Sequence, residues 1–292
     1  MTEMCSSLRR ITRLLAIVPL AAIVLNASAA SAQLLGSAQN FAVLGASTVT
    51  NTGATNINGD VGVSPGTAIT GFPPGVVLGG AIHASDPVAA RAHADALLAY
   101  VRLAGFDCPS INHLSGILGT GGLHPTLPTG VYCFDTSAEL RGTLTLTGAG
   151  PWIFQVGTTL TTASDSQIIV VDAAPNCSGS NVFWQLGTSA TLGTATEFAG
   201  NILALVSITA TTGVNVAGSL IALGGAVTLD TNTVSVCSSG SGPFPPAMDK
   251  CEEHHDKDGD DHDHDKDHKD HKDHKDNDSK DKDHDSKDKK RG

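Results

Sequence analysis

Two near-copies of one segment lie 18 residues apart in this chain, and that spacing constrains the fold more than any other feature. AGNILALVSITATTGVNV begins at Ala199, and AGSLIALGGAVTLDTNTV follows at Ala217. Ala199/Ala217, Gly200/Gly218, Ala204/Ala222, Leu205/Leu223 and Val216/Val234 coincide. IFQVGTTLTT from Ile153 and FWQLGTSATL from Phe183 form a second such pair. A period of roughly 18–20 residues, with short alternating strands and glycine corners, predicts a β-helix in which each coil covers the last.

Stacking the repeats aligns four short strands: Thr159-Leu160-Thr161, Ser189-Ala190-Thr191, Ser207-Ile208-Thr209 and Ala226-Val227-Thr228. The middle residue is apolar each time and is expected to point inward, so its neighbours point outward. Two outward columns result: Thr161, Thr191, Thr209, Thr228 beside Thr159, Ser189, Ser207, Ala226. This register explains why residues 200–230 carry no charge before Asp230 and yet are broken by glycine, threonine and asparagine. The apolar half of the run fills a core, and the hydroxyl half makes a flat face. A regular, uncharged array of hydroxyls and stiff, β-branched methyls suits a repeating neutral target such as ordered water.

Charge is placed very unevenly. Every lysine lies at or after Lys250, and between the leader and the tail only Arg91, Arg102 and Arg141 are cationic. That excludes the basic footprint of a nucleic-acid binder. Arg9, Arg10 and Arg13 precede the apolar run from Leu14 to Leu25, and ASAASAQ offers a cleavage site after Ala32. Residues 1–32 therefore read as a secretory signal peptide. The run is shorter than the roughly 20 residues of a membrane span, and we expect an extracellular protein with no membrane span.

Outside the cytosol, Cys108, Cys133, Cys177 and Cys237 read as disulfide cysteines rather than metal ligands. The sequence leaves their connectivity open; Cys108–Cys133 with Cys177–Cys237 is one pairing. Cys251, at the root of the tail, is the candidate for a free or intermolecular thiol. One strong helix is predicted over residues 86–104, with Asp86 as N-cap, Pro87 at the first helical position and Gly105 as its stop. Ala90, Ala94, Leu97, Val101 and Ala104 fall at helical spacing, and we expect this small-residue stripe to lie flat against another part of the protein.

FAVLGASTVTNTGATNINGDVGVSPGTAITGFPPG (41–75), LPTGVYCF, GTLTLTGAGPWIFQVGTTLTT and NVFWQLGTSATLGTATEFAGNILALVSI resemble the microbial secreted ice-binding protein family. The resemblance runs from about Leu34 to Cys237. It implies a right-handed, discontinuous β-helix of triangular section with one long helix packed along it, whose N-terminal segment and later coils together complete the stack. It also implies an antifreeze or recrystallisation-inhibiting activity exerted through one flat face on ice. Residues 33–237 are then the solenoid domain. The competing class is an extracellular adhesin or structural solenoid without ice activity. A polysaccharide-degrading β-helix needs clustered carboxylates or a cationic base, whereas the body's acids are scattered along the chain. No enzyme is expected.

Residues 238–248 form a Pro/Gly-rich hinge, and residues 249–292 an Asp/His/Lys-rich tail expected to be disordered. Its bland reading is a solvating, zwitterionic extension. Its sharper reading is loose binding of Zn²⁺, Ni²⁺ or Cu²⁺ by His262, His264, His268, His271 and His274, since imidazole suits those ions; no other cofactor is expected. Deleting residues from Asp249 onward is expected to leave the β signal in circular dichroism unchanged. Under the metal reading, the same deletion abolishes zinc binding in calorimetry.

Overall fold

The computed structural model describes residues 34–171 and 178–236. The expected leader, hinge and tail, Cys177, Cys237, Cys251 and the tail histidines lie outside them. Short strands with apolar residues on alternate positions pair in parallel, as the repeat requires, because each coil returns to the same face one rung later. Three faces arise. One carries Val182–Leu186, Asn201–Ala204, Leu220–Ala222, Phe41–Gly45 and Asp60–Val63. A second carries Leu160–Thr162, Ala190–Leu192, Ile208–Ala210, Val227–Asp230, Thr48–Thr52 and Ala68–Thr70. The third carries Gln167–Val170, Glu197–Ala199, Asn215–Ala217, Thr233–Ser235, Asn56–Asn58 and Val76–Leu78. The strand Thr143–Val156 serves two faces: Thr143–Leu146 pairs with Gln167–Val170, and Trp152–Val156 with Val182–Leu186.

The stacking order departs from chain order. Phe41–Gly45 pairs with Leu220–Ala222 on one side and with Asp60–Val63 on the other. The first coils of the chain thus sit on its last one. Inside, a ladder of side chains joins the rungs: Tyr132, Phe154, Trp184, Ile202, Leu220, Val43 and Val61 occupy successive paired positions. All are buried. The Phe154 and Trp184 rings stack at 3.9 Å with an interplanar angle of 8°.

Glycine is required where the third face turns into the first. Gly200 and Gly218 have φ of +139° and +149°. A Cβ on Gly218 would run into the Gly200 carbonyl oxygen of the neighbouring coil, and one on Gly200 would lie 2.7 Å from Trp184 Nε1. The coils approach this corner too closely for any side chain. Gly218→Ala is expected to destabilise the domain by about 2–4 kcal/mol, measured by denaturant unfolding.

Helix α1, Pro87–Ala104, is capped by Asp86, whose Oδ1 accepts from the Ala89 N–H at 2.8 Å. The stripe that faces the sheet differs from the expected one. Ala89, Ala92, Ala96, Ala99 and Leu103 are buried, while Ala90, Ala94, Leu97, Val101 and Ala104 face solvent. Apolar residues populate nearly the whole helix surface, so spacing alone did not select the packed side. Close approach to Phe41, Leu44, Ile153, Phe183, Leu203 and Ile221 did, because alanine lets the helix settle on large side chains. Polar anchors fix its rotation: Asp95 Oδ2 accepts from the Ser37 hydroxyl at 2.6 Å and its N–H at 2.8 Å, and His93 Nε2 lies 2.9 Å from the Leu223 carbonyl oxygen.

Both helix carboxyls are held below the usual range. For Asp86 the main cause is the Ala89 N–H and then His83; for Asp95 it is the Ser37 hydroxyl and then its N–H. A carboxylate with a lowered folded pKa stabilises the fold above its unfolded value near 3.8 and ceases to do so as pH falls through the folded value. The melting temperature is therefore expected to fall as pH drops from about 5 to about 2, and less steeply in Asp95→Asn.

Candidate functional site

The second face holds the array. Leu160, Ala190, Ile208, Val227 and Val49 are buried inward positions on successive rungs, and each places a threonine next to it on the outside. Thr161 pairs with Thr191, Thr191 with Thr209, and Thr209 with Thr228. The column then continues into the N-terminal coils, where Thr228 pairs with Thr50 and Thr50 with Thr70. Six threonines stand in register at a rung spacing of about 4.8 Å. Beyond Thr161 the same position is Glu139, which pairs with Arg141 at 2.6 Å and ends the uncharged run.

Thr50 and Thr70 were absent from the sequence-derived set, although the signal was present. Thr48-Val49-Thr50 repeats the hydroxyl, apolar, threonine pattern of Ser207-Ile208-Thr209, and Ala68-Ile69-Thr70 repeats that of Ala226-Val227-Thr228. The coil period does not reveal their place in the column, because they lie far along the chain from the strands they join.

The two columns differ in chemistry. Thr159, Ser189, Ser207, Ala226 and Thr48 are half-buried. Ser189 Oγ accepts from the Ser207 N–H and Ser207 Oγ from the Ala226 N–H, each at 3.3 Å, so these hydroxyls tie one rung to the next. In the other column five of the six threonines are exposed, Thr209 being half-buried. Among the described residues, none of these six hydroxyls has a hydrogen-bond partner within the protein. They remain for whatever meets the face. Val49, Leu160, Ile208 and Val227 are fully buried beneath them, so packed core holds the array flat.

A family model described as Ice-binding-like matches residues 43–235. The chain belongs to this family. A protein of Nostoc sp. (strain HG1) named Ice-binding protein is 51% identical over 232 residues, spanning 78% of this chain and 82% of that protein. One of the same name from Flavobacterium frigoris (strain PS1) is 33% identical over 216 residues, spanning 69% and 75%. Among solved structures, an ice-binding protein from the Antarctic ascomycete Antarctomyces psychrotrophicus matches with a TM-score of 0.63 and 42% identity, over 70% of this chain and 98% of that one.

Elsewhere, Cys108, His113 and Cys133 lie close together, but Cys108 and Cys133 are joined as a disulfide and have no thiolate to offer a metal. His83 Nδ1 lies 2.7 Å from Asp86 Oδ2 at the start of the helix, where both residues serve its capping. No helix among the described residues is long and apolar enough to cross a membrane.

Proposed function

We propose that this chain is a secreted ice-binding protein that acts as an antifreeze or recrystallisation inhibitor through its threonine face. The observation that carries the reading is the unbroken column of six threonines in register, on a fold whose relatives are named for binding ice. Each threonine presents a hydroxyl that can hold a water in a lattice position and a methyl that orders the waters around it. Single contacts of this kind are weak, and their strength comes from number and from rigidity. β-Branched side chains on a packed sheet lose little freedom on meeting a surface that already repeats. The neighbouring column of Thr159, Ser189, Ser207, Ala226 and Thr48 acts mainly in setting rung geometry.

Binding is the whole of the proposed activity, with no catalytic step and no cofactor. In support, the Asp86 and Asp95 carboxylates are engaged in capping and anchoring the helix. Secretion is supported by the Cys108–Cys133 disulfide, which suits an oxidising compartment.

The purified mature protein is expected to shape ice crystals and inhibit recrystallisation. Thr209→Tyr and Thr50→Tyr are each expected to lose at least about tenfold in activity, since a bulky ring lifts neighbouring threonines off a flat surface and forfeits several contacts at once. Leu98→Tyr, on the outer side of the helix, should leave activity unchanged. Full activity in both threonine variants would move the site to another face, and absence of shaping by the unaltered protein would reject the function.

A further inference from the structure

We propose that the third face carries a second binding site, a groove that takes an extended neutral glycan with one sugar per rung. It goes beyond ice binding and uses none of the threonine column. The groove has a volume of about 330 Å³. One wall is a column of exposed polar side chains in register, Gln167, Glu197, Asn215 and Thr233. The floor is Ala199 and Ala217, paired on adjacent rungs. Ile169 stands at the matching position of the rung beyond Ala199, and the small Ser235 at that beyond Ala217, so the depression over the two alanines is closed by a large side chain at one end and runs on over Ser235 at the other. The opposite wall is the turn at Ser178 and Gly179. Asn201 Nδ2 donates to the Gly179 carbonyl at 3.0 Å and to that of Val182 at 3.2 Å, which holds the turn in place.

The polar wall is preorganised for hydroxyl groups. Asn215 Nδ2 donates to Glu197 Oε2 at 2.8 Å, bracing the carboxylate against the amide of the next rung. Glu197 Oε1 and Asn215 Oδ1 remain as acceptors, and Gln167 and Thr233 add groups that both donate and accept. Adjacent hydroxyls of a pyranose ring match such paired planar acceptors, and a hydroxyl donating to a carboxylate makes the stronger, charge-assisted bond. Rungs about 4.8 Å apart advance by about one sugar of a straight β-linked chain, and the four wall residues span about 14 Å. Phe198 is buried in the core, so among the described residues lining the groove no aromatic ring is offered for the sugar to stack on. The dissociation constant should accordingly lie on the order of 1 mM.

The test is a nuclear magnetic resonance titration of the isotope-labelled mature protein with cellotetraose, a straight β-linked probe, beside maltotetraose, a coiled α-linked one. Saturable shifts are expected at Gln167, Glu197, Asn215 and Thr233 with cellotetraose, and maltotetraose should bind at least about fivefold more weakly. The double variant Glu197→Ala and Asn215→Ala, both exposed positions, should weaken cellotetraose binding roughly tenfold while ice shaping stays intact. Absent or misplaced shifts, undiminished affinity in the double variant, or equal affinity for the two sugars would each overturn the proposal. Because ice shaping is read separately, the two sites can fail independently.

Discussion

The parallel pairing of Phe41–Gly45 with Leu220–Ala222 is the contact on which the rest of the architecture depends. It places the first coils of the chain on top of its last coil, so the polypeptide must then return along the whole stack before building the coils between. Helix α1 makes that return. Asp86 caps it beside the coil of Asp60–Val63, His93 meets Leu223, Tyr100 meets Leu186, and Gln155 donates to the Leu103 and Phe106 carbonyls at 2.7 and 2.8 Å. From residue 86 to 103 a helix rises about 26 Å. The five rung steps it crosses amount to about 24 Å. The agreement explains a single long helix in an otherwise β protein: its length is set by the height of the stack.

The same junction extends the threonine column from four rungs to six, because the inserted coils carry Val49 and Ile69 inward with Thr50 and Thr70 beside them. It also continues the interior ladder from Leu220 through Val43 to Val61. Core, face and helix are thus three consequences of one pairing. The three faces have different tasks because of what stands outward on each. Large aliphatic and aromatic side chains on the first are covered by the helix, threonines on the second are left free, and amides with Glu197 line the third.

Many polar groups inside the stack are paired, as burial demands, whereas Asn51 Oδ1, Trp184 Nε1 and the Thr188 and Ser219 hydroxyls find no partner among the described residues. Thr162 and Thr196 share a hydrogen bond of 2.8 Å, and Ser166 donates to the Leu140 carbonyl at 3.1 Å. Hydroxyls at the corners and in the half-buried column serve the fold. Those of the outer threonine column are available to a ligand. Residue type alone does not separate these roles, since threonine occurs in both.

The coil period, the inward and outward alternation, the position of the helix and the pairing of Thr161, Thr191, Thr209 and Thr228 are all legible in the order of the residues. These follow from local rules: side chains alternate along a strand, repeats stack on repeats, and Asp86 with Pro87 marks a helix start. Tertiary structure decided what depends on contacts between distant segments. It brought Thr50 and Thr70 onto the face and joined Cys108 to Cys133. It also turned Ala89, Ala92, Ala96 and Ala99 inward in place of the equally apolar Ala90, Ala94, Leu97 and Val101. The physical reason is that periodicity fixes which residues share a side, whereas the shape of the opposing surface selects the side that packs.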